Sequence, residues 1–256
     1  MNTLNKLSLA PAIALTAVLA FGAQASVEDT VEKTFDLSGK GQLVLDNVNG
    51  DVVIEAWQQT SVKVTAEIIA SNQKSRDRID IKMKQNGDRI TVETDYLEQD
   101  GDWGRNSNGG SVNYTVMVPV NLDLRNIELV NGSLTISNVA GELNADVVNG
   151  SVEATGLASN VEVDSVNGGV ELTFADNAKN IEIEVETVNG GIRLYVPENF
   201  GANVEASTGN GAIKTDFGLS GTKGKYYGND LEGSFGDASS DIEVESVNGS
   251  IRILKK

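Results

Sequence analysis

The chain has no cysteine and no histidine among its 256 residues, three prolines, and only two tryptophans, five tyrosines and six phenylalanines. Each shortage closes a route. Without cysteine there are no disulfides, no thiolate metal sites and no lipoprotein acylation site. Without histidine, no Ser-His or Cys-His nucleophile can be assembled and no imidazole can hold a metal. Basic residues are scarce too: 20 Lys and Arg stand against 37 Asp and Glu, a formal charge of −17. Nucleic acid and anionic bilayers are therefore unsuitable partners, because both would repel this surface.

Long apolar runs are confined to the first 25 residues. "MNTLNKLSLAPAIALTAVLAFGAQA" carries one charge, Lys6, then an apolar run from Leu7 to Phe21 that is broken by Pro11 and Thr16. It ends in Ala23-Gln24-Ala25, the small-x-small pattern of a signal-peptidase site. The run is short for a bilayer span. Residues 1–25 are expected to be a signal peptide, with the mature chain starting at Ser26 and a formal charge of −18 once Lys6 is removed. The protein is expected to be exported, periplasmic or extracellular, with no membrane span after cleavage. Residues 26–256 suffice for one large or two small cores.

Glycine is abundant, and seven glycines follow asparagine at a recurring corner. The pairs are Asn49-Gly50, Asn131-Gly132, Asn149-Gly150, Asn167-Gly168, Asn189-Gly190, Asn210-Gly211 and Asn248-Gly249; six stand in Val-Asn-Gly and one in Gly-Asn-Gly. Aligned on the asparagine, positions three and five later and four and six earlier are apolar, except Arg125 and Thr215. Largely polar residues alternate with them. Period-two alternation on both sides of a turn reads as strand, corner, strand with one face buried. Asn and Gly both tolerate positive φ, the reason expected for their use at the corner. Only Ser71–Arg78 has the look of a short helical turn.

Two architectures use such corners: antiparallel hairpins and the stacked coils of a solenoid. Asn131, Asn149 and Asn167 are 18 residues apart, and the next intervals are 22 and 21. Each interval holds two strands, and the second corner drifts in sequence while the first repeats. A ladder of asparagines bonded coil to coil explains that asymmetry; a meander does not. The fold expected is all-β, a β-solenoid (single-stranded β-helix-like) with an inserted N-terminal hairpin. The hairpin and a loop occupy about 71–120, turning at Asn86-Gly87. Regular coils fill about 121–217, a glycine-rich loop spans 218–240, and 241–256 forms the last coil. Asn248 would then have one ladder neighbour, and Asn149→Ala or Asn167→Ala should cost about 1–3 kcal/mol, as for a buried unpaired polar group.

The order of parts, "LVLDNVNGDVVIEAW", a polar hairpin, "VNYTVMVPVNLDL", then repeats ending "DIEVESVNGSIRI", resembles the bacterial putative-adhesin family of β-strand-repeat proteins, a domain of unknown function. The resemblance covers roughly residues 30–256 and implies a β-helical fold and a cell-envelope setting. It transfers no catalytic residue. The chain departs from the family in preferring Asn to Ser before the turn glycine.

No catalytic, cofactor-binding or metal residue is assigned. "SGKGQ" and "GTKGK" lack the phosphate-loop frame. Asp100, Asp102 and Asn106 offer calcium-type oxygens, but Gly104 and Ser111 break the EF-hand frame. The acids of the coils read as outward-facing and scattered, offering no hot spot. Trp57 and Tyr195 are read as covering coil ends. Trp103, Tyr226 and Tyr227, in the glycine-rich loops, either bind a partner or cover strand ends. The leading expectation is a non-catalytic interaction or adhesion scaffold whose partner is an envelope protein or polysaccharide. A periplasmic envelope-stress accessory or structural protein is the alternative, and a polysaccharide-active enzyme is the third class.

Overall fold

The computed structural model describes residues 26–97, 109–219, 222–223 and 228–256. Each corner asparagine ends one strand, and a second strand starts three residues later, as in Leu143–Asn149 and Val152–Leu157 or Val161–Asn167 and Val170–Phe174. The strands before the corners pair in parallel in one sheet, and those after the corners pair in parallel in another. Inward residues fill the space between the sheets: Val161, Val163, Val170 and Leu172 are all buried, and the pattern repeats along the stack up to the Asn210 coil, where Ile213 and Thr215 are only partly buried. The fold is a β-solenoid with two strands per coil.

Arg125, an exception in the alignment, is explained by a bulge. The register shifts so that Leu124, not Arg125, lies against Leu43 and Leu143, and Asn126 takes up the extra residue at φ 54°. Arg125 points out and pairs with Glu142. The helical turn is present at Gln73–Arg76, capped by Asn72, whose side chain accepts from the Ser75 amide. In the hairpin, Asn86 lies opposite Arg89, so the two-residue turn is Gly87-Asp88, one residue beyond the expected Asn86-Gly87.

The spatial order of the coils departs from the chain order. Ser240–Asn248 pairs with Glu182–Asn189 on one side and Ala202–Asn210 on the other, and Ile251–Lys255 likewise lies between Ile192–Val196 and Ile213–Thr215. The coil written last is therefore inserted into the stack, and the Asn210 coil ends it. Asn229–Phe235 closes that end by pairing antiparallel with Ala202–Asn210. At the other end, Arg89–Tyr96 and Gly110–Pro119 add one more parallel layer beneath the Asn49 coil. Antiparallel Ile79–Asn86, Ser61–Ala70 and Val27–Asp36 then cover it.

The corner glycines are needed for a reason other than positive φ. Among the seven, only Gly50 has one, at 119°. The others are crowded: a Cβ on Gly132, Gly150, Gly168, Gly190, Gly249 or Gly211 would stand 1.8–2.0 Å from the carbonyl oxygen of the corner glycine in the adjacent coil. Glycine lets the coils approach to β-ladder spacing at a tight corner. Beneath it, hydroxyls reach the same carbonyls: Thr187 Oγ1 donates to Gly190 O at 2.9 Å and Thr208 Oγ1 to Gly249 O at 2.8 Å. At the Asn49 level the buried Asn47 does this instead, donating to Gly50 O at 3.0 Å.

The asparagine ladder is continuous. In the order Asn49, Asn131, Asn149, Asn167, Asn189, Asn248, Asn210, each Nδ2 from Asn131 onward donates to the Oδ1 of the asparagine before it at 2.8–3.0 Å. Asn248 has a neighbour on each side, which corrects its expected terminal place. The ladder is also largely exposed: Asn149, Asn167 and Asn248 lie at the surface, so groups left unpaired by a substitution rehydrate. Asn149→Ala and Asn248→Ala should each cost about 1 kcal/mol, the net worth of ordinary hydrogen bonds, and Asn210→Ala less. Urea denaturation of the three variants checks this. A distinctly smaller loss at Asn248 than at Asn149 would contradict the inserted position.

Candidate functional site

Outward side chains on the first sheet are fixed by the same register that builds the core. Three residues before six of the seven corner asparagines comes an acid (Ser207 stands there before Asn210), and parallel pairing places these acids side by side. Asp46 lies beside Glu93 and Glu128; Asp146 follows, then Asp164, Glu186 and Glu245. Five residues before the corner, Glu162, Glu184, Glu243 and Glu205 form a second row, which Glu232 extends. The residue just before the asparagine forms a third row of exposed valines: Val130, Val148, Val166, Val188 and Val247. A shallow groove of about 380 Å³ runs between valines and acids, lined by Asp164, Val166, Glu186, Val188, Glu245 and Val247.

Stacking like charges at the ~4.8 Å strand spacing is unfavourable. Burial, reinforced by Asp146, Glu186, Glu162 and Glu184, pushes the Asp164 carboxyl up to about 6. Burial likewise raises Glu184, with Glu162 and Glu243 adding to it, and raises Asp46, with Glu93 and Asp95 adding. Ion pairs such as Lys40–Asp123, Lys63–Glu32, Arg76–Asp29 and Arg193–Glu171 lie off these rows.

A raised folded-state pKa means that the native state binds more protons than the unfolded chain between about pH 4 and 6. Stability therefore falls as pH rises through that window and is regained on acidification. Asp164 is exposed enough for solvent to screen much of the effect, so Asp164→Asn should stabilise at pH 7.5 by on the order of 1 kcal/mol, about 2–4 °C in Tm. The gain should vanish near pH 4. Thermal melts at both pH values test this; an equal gain at the two would rule out charge repulsion as the cause.

The second sheet's outer face is mixed. Glu153 lies beside Glu171, which pairs with Arg193 at 3.4 Å; Arg252 and Lys214 continue the row. Tyr195 is half-buried on that face. Trp57 donates its indole N–H to Ser61 O at 2.8 Å across the turn that ends the first coil. Trp103, Tyr226 and Tyr227, and the calcium candidates Asp100, Asp102 and Asn106, lie outside the described residues. No cluster of three or more acids among the described residues is arranged to hold a metal ion.

The expectation of scattered acids is thus corrected: the first sheet carries them in rows. The signal was present in the alignment, since Asp46, Glu128, Asp146, Asp164, Glu186 and Glu245 all stand three residues before a corner asparagine.

Residues 106–254 match the family described as Toastrack DUF4097. No curated protein matches the chain. Among solved structures, a putative cell adhesion protein from Clostridium sporogenes is similar, at 17% identity and TM-score 0.52 over 90% of this chain and 100% of that one. A putative adhesin from Bacteroides fragilis, at 12% identity and TM-score 0.45, covers 88% of this chain and 97% of its own. The likeness to the Clostridium protein is one of fold. No helix among the described residues is long and apolar enough to cross a membrane.

Proposed function

The chain belongs to the Toastrack DUF4097 family, and we propose that it is a non-catalytic, exported scaffold that binds other molecules of the cell envelope. The exposed valine row carries this reading. Five valines in register form a continuous apolar strip on a rigid, stacked sheet, and contiguous exposed apolar surface of this kind marks interaction sites rather than solvated faces. The signal-like residues 1–25 support export.

The test adds purified protein to isolated envelopes and measures saturable retention together with release of soluble sugar. Retention without sugar release is expected. Sugar release that is lost on substituting a pair of carboxylates would replace the scaffold by a polysaccharide-active enzyme. Retention lost on deleting 98–108, and unchanged by Val166→Ser with Val188→Ser, would move recognition to the loops with Trp103.

A further inference from the structure

Three rows run side by side across the middle of the first sheet, and their spacing says what could lie on them. We propose that the valine row and the carboxylate row beside it form a docking track for a cationic amphipathic helix of a partner protein, lying along the solenoid axis. The proposal rests on the scaffold reading above and names the class of partner.

The geometry favours a helix over an extended strand. Levels of the stack repeat at ~4.8 Å. Side chains on one face of a helix recur about every 5.4 Å, whereas those on one face of a strand recur about every 6.6 Å. Four intervals separate five stacked levels, so a helix drifts out of step with the valines by about 2.4 Å over the row, and a strand by about 7 Å. Anchors at i, i+3, i+4 and i+7 can therefore meet the valines over about four turns.

Charge sets the flank. The acid row lies two residues along each strand from the valines, about 6.6 Å away, within reach of Lys or Arg side chains that extend sideways from a helix seated on the valines. On the other flank stands the asparagine ladder, which is uncharged. The partner helix should carry an apolar stripe with basic residues on one side of it and polar residues on the other. The acid row is open to such a partner because it repels itself: Asp164 faces Asp146 and Glu186 across the strands. A second copy, with its own formal charge of −17, and an anionic bilayer are both disfavoured by the same field.

The test uses the full chain and fluorescent synthetic peptides of about four helical turns. The patterned peptide has leucines at helical spacing and lysines on one flank; the comparison peptide is a scramble of identical composition. Saturable binding of the patterned peptide is expected, with the scramble at least about tenfold weaker. Val166→Ser with Val188→Ser, and separately Asp164→Asn with Glu186→Gln, should each weaken the patterned peptide about tenfold while leaving circular dichroism and cooperative melting intact. Equal binding of the two peptides would reduce the track to non-specific charge and overturn the proposal. So would patterned binding that ignores the valine substitutions, or concentration-dependent dimerisation through the same face. If envelopes retain the protein but the patterned peptide does not bind, the scaffold reading stands and this partner class falls; if neither binds, both fall.

Discussion

Gly168→Ala should destabilise the solenoid by more than about 3 kcal/mol, beyond the usual range for overpacking a core. The new Cβ would lie 1.8 Å from Gly150 O and 2.6 Å from Gly150 C. Both are backbone atoms, held where they are by the ladder itself: Gly150 N donates to Asn167 O at 3.0 Å and Gly168 N to Asn189 O at 3.1 Å. No side chain can rotate away, so relief requires opening the stack at that level. Gly87→Ala is the control, because Gly87 has φ 60° and nothing within 4 Å of its Cβ position. It should cost only the left-handed strain of about 1–2 kcal/mol. Urea unfolding of the two variants separates crowding from backbone conformation. A loss at Gly168 no larger than that at Gly87 would mean that the stack yields to a Cβ at the corner and that crowding is not what keeps glycine there.

That distinction marks a limit of sequence reading. The Val-Asn-Gly repeat and its flanking alternation make strand, corner and stack legible, because core placement follows period-two patterning within each coil. What the corner glycine does depends on the coil above, and a single repeat read in isolation suggests only a turn. The exposed rows were hidden for a related reason. Attention to the positions that build the core, four and six before the asparagine, passes over the acid at three and the valine at one. Those residues acquire meaning only when parallel pairing sets them beside their equivalents, as Asp146 beside Asp164. The insertion of the last coil was not legible at all. Asn210 lies 21 residues after Asn189, a spacing that suits direct stacking, yet the coil of Asn248 stands between them.

The inserted coil makes the strongest demand on the chain's C-terminal segment. Ending the chain after Gly236 removes Ser240–Asn248 and Ile251–Lys255 and should release the Asn210 coil from the solenoid. Ile242, Val244, Ile251 and Ile253 are buried to within 2%. At about 1.5–3 kcal/mol for each buried side chain, their loss is comparable to the whole stability of a typical domain, about 5–15 kcal/mol. The Asn210 coil is poorly equipped to take the vacated place. Ala206, which packs at the level of Val244, is too small to fill the space against Val185, and Thr215 stands where Ile253 now meets Leu194. Asn229–Phe235 depends on that coil for its pairing and should leave with it. Hydrogen exchange should accordingly show 202–235 unprotected in the shortened chain, while the coils of Asn131, Asn149 and Asn167 keep their protection. A chain that folded as its sequence order suggests would behave otherwise: the Asn210 coil would dock directly on the Asn189 coil, and 202–210 would stay protected within one cooperative transition. That result would show the inserted coil to be dispensable for closing the stack.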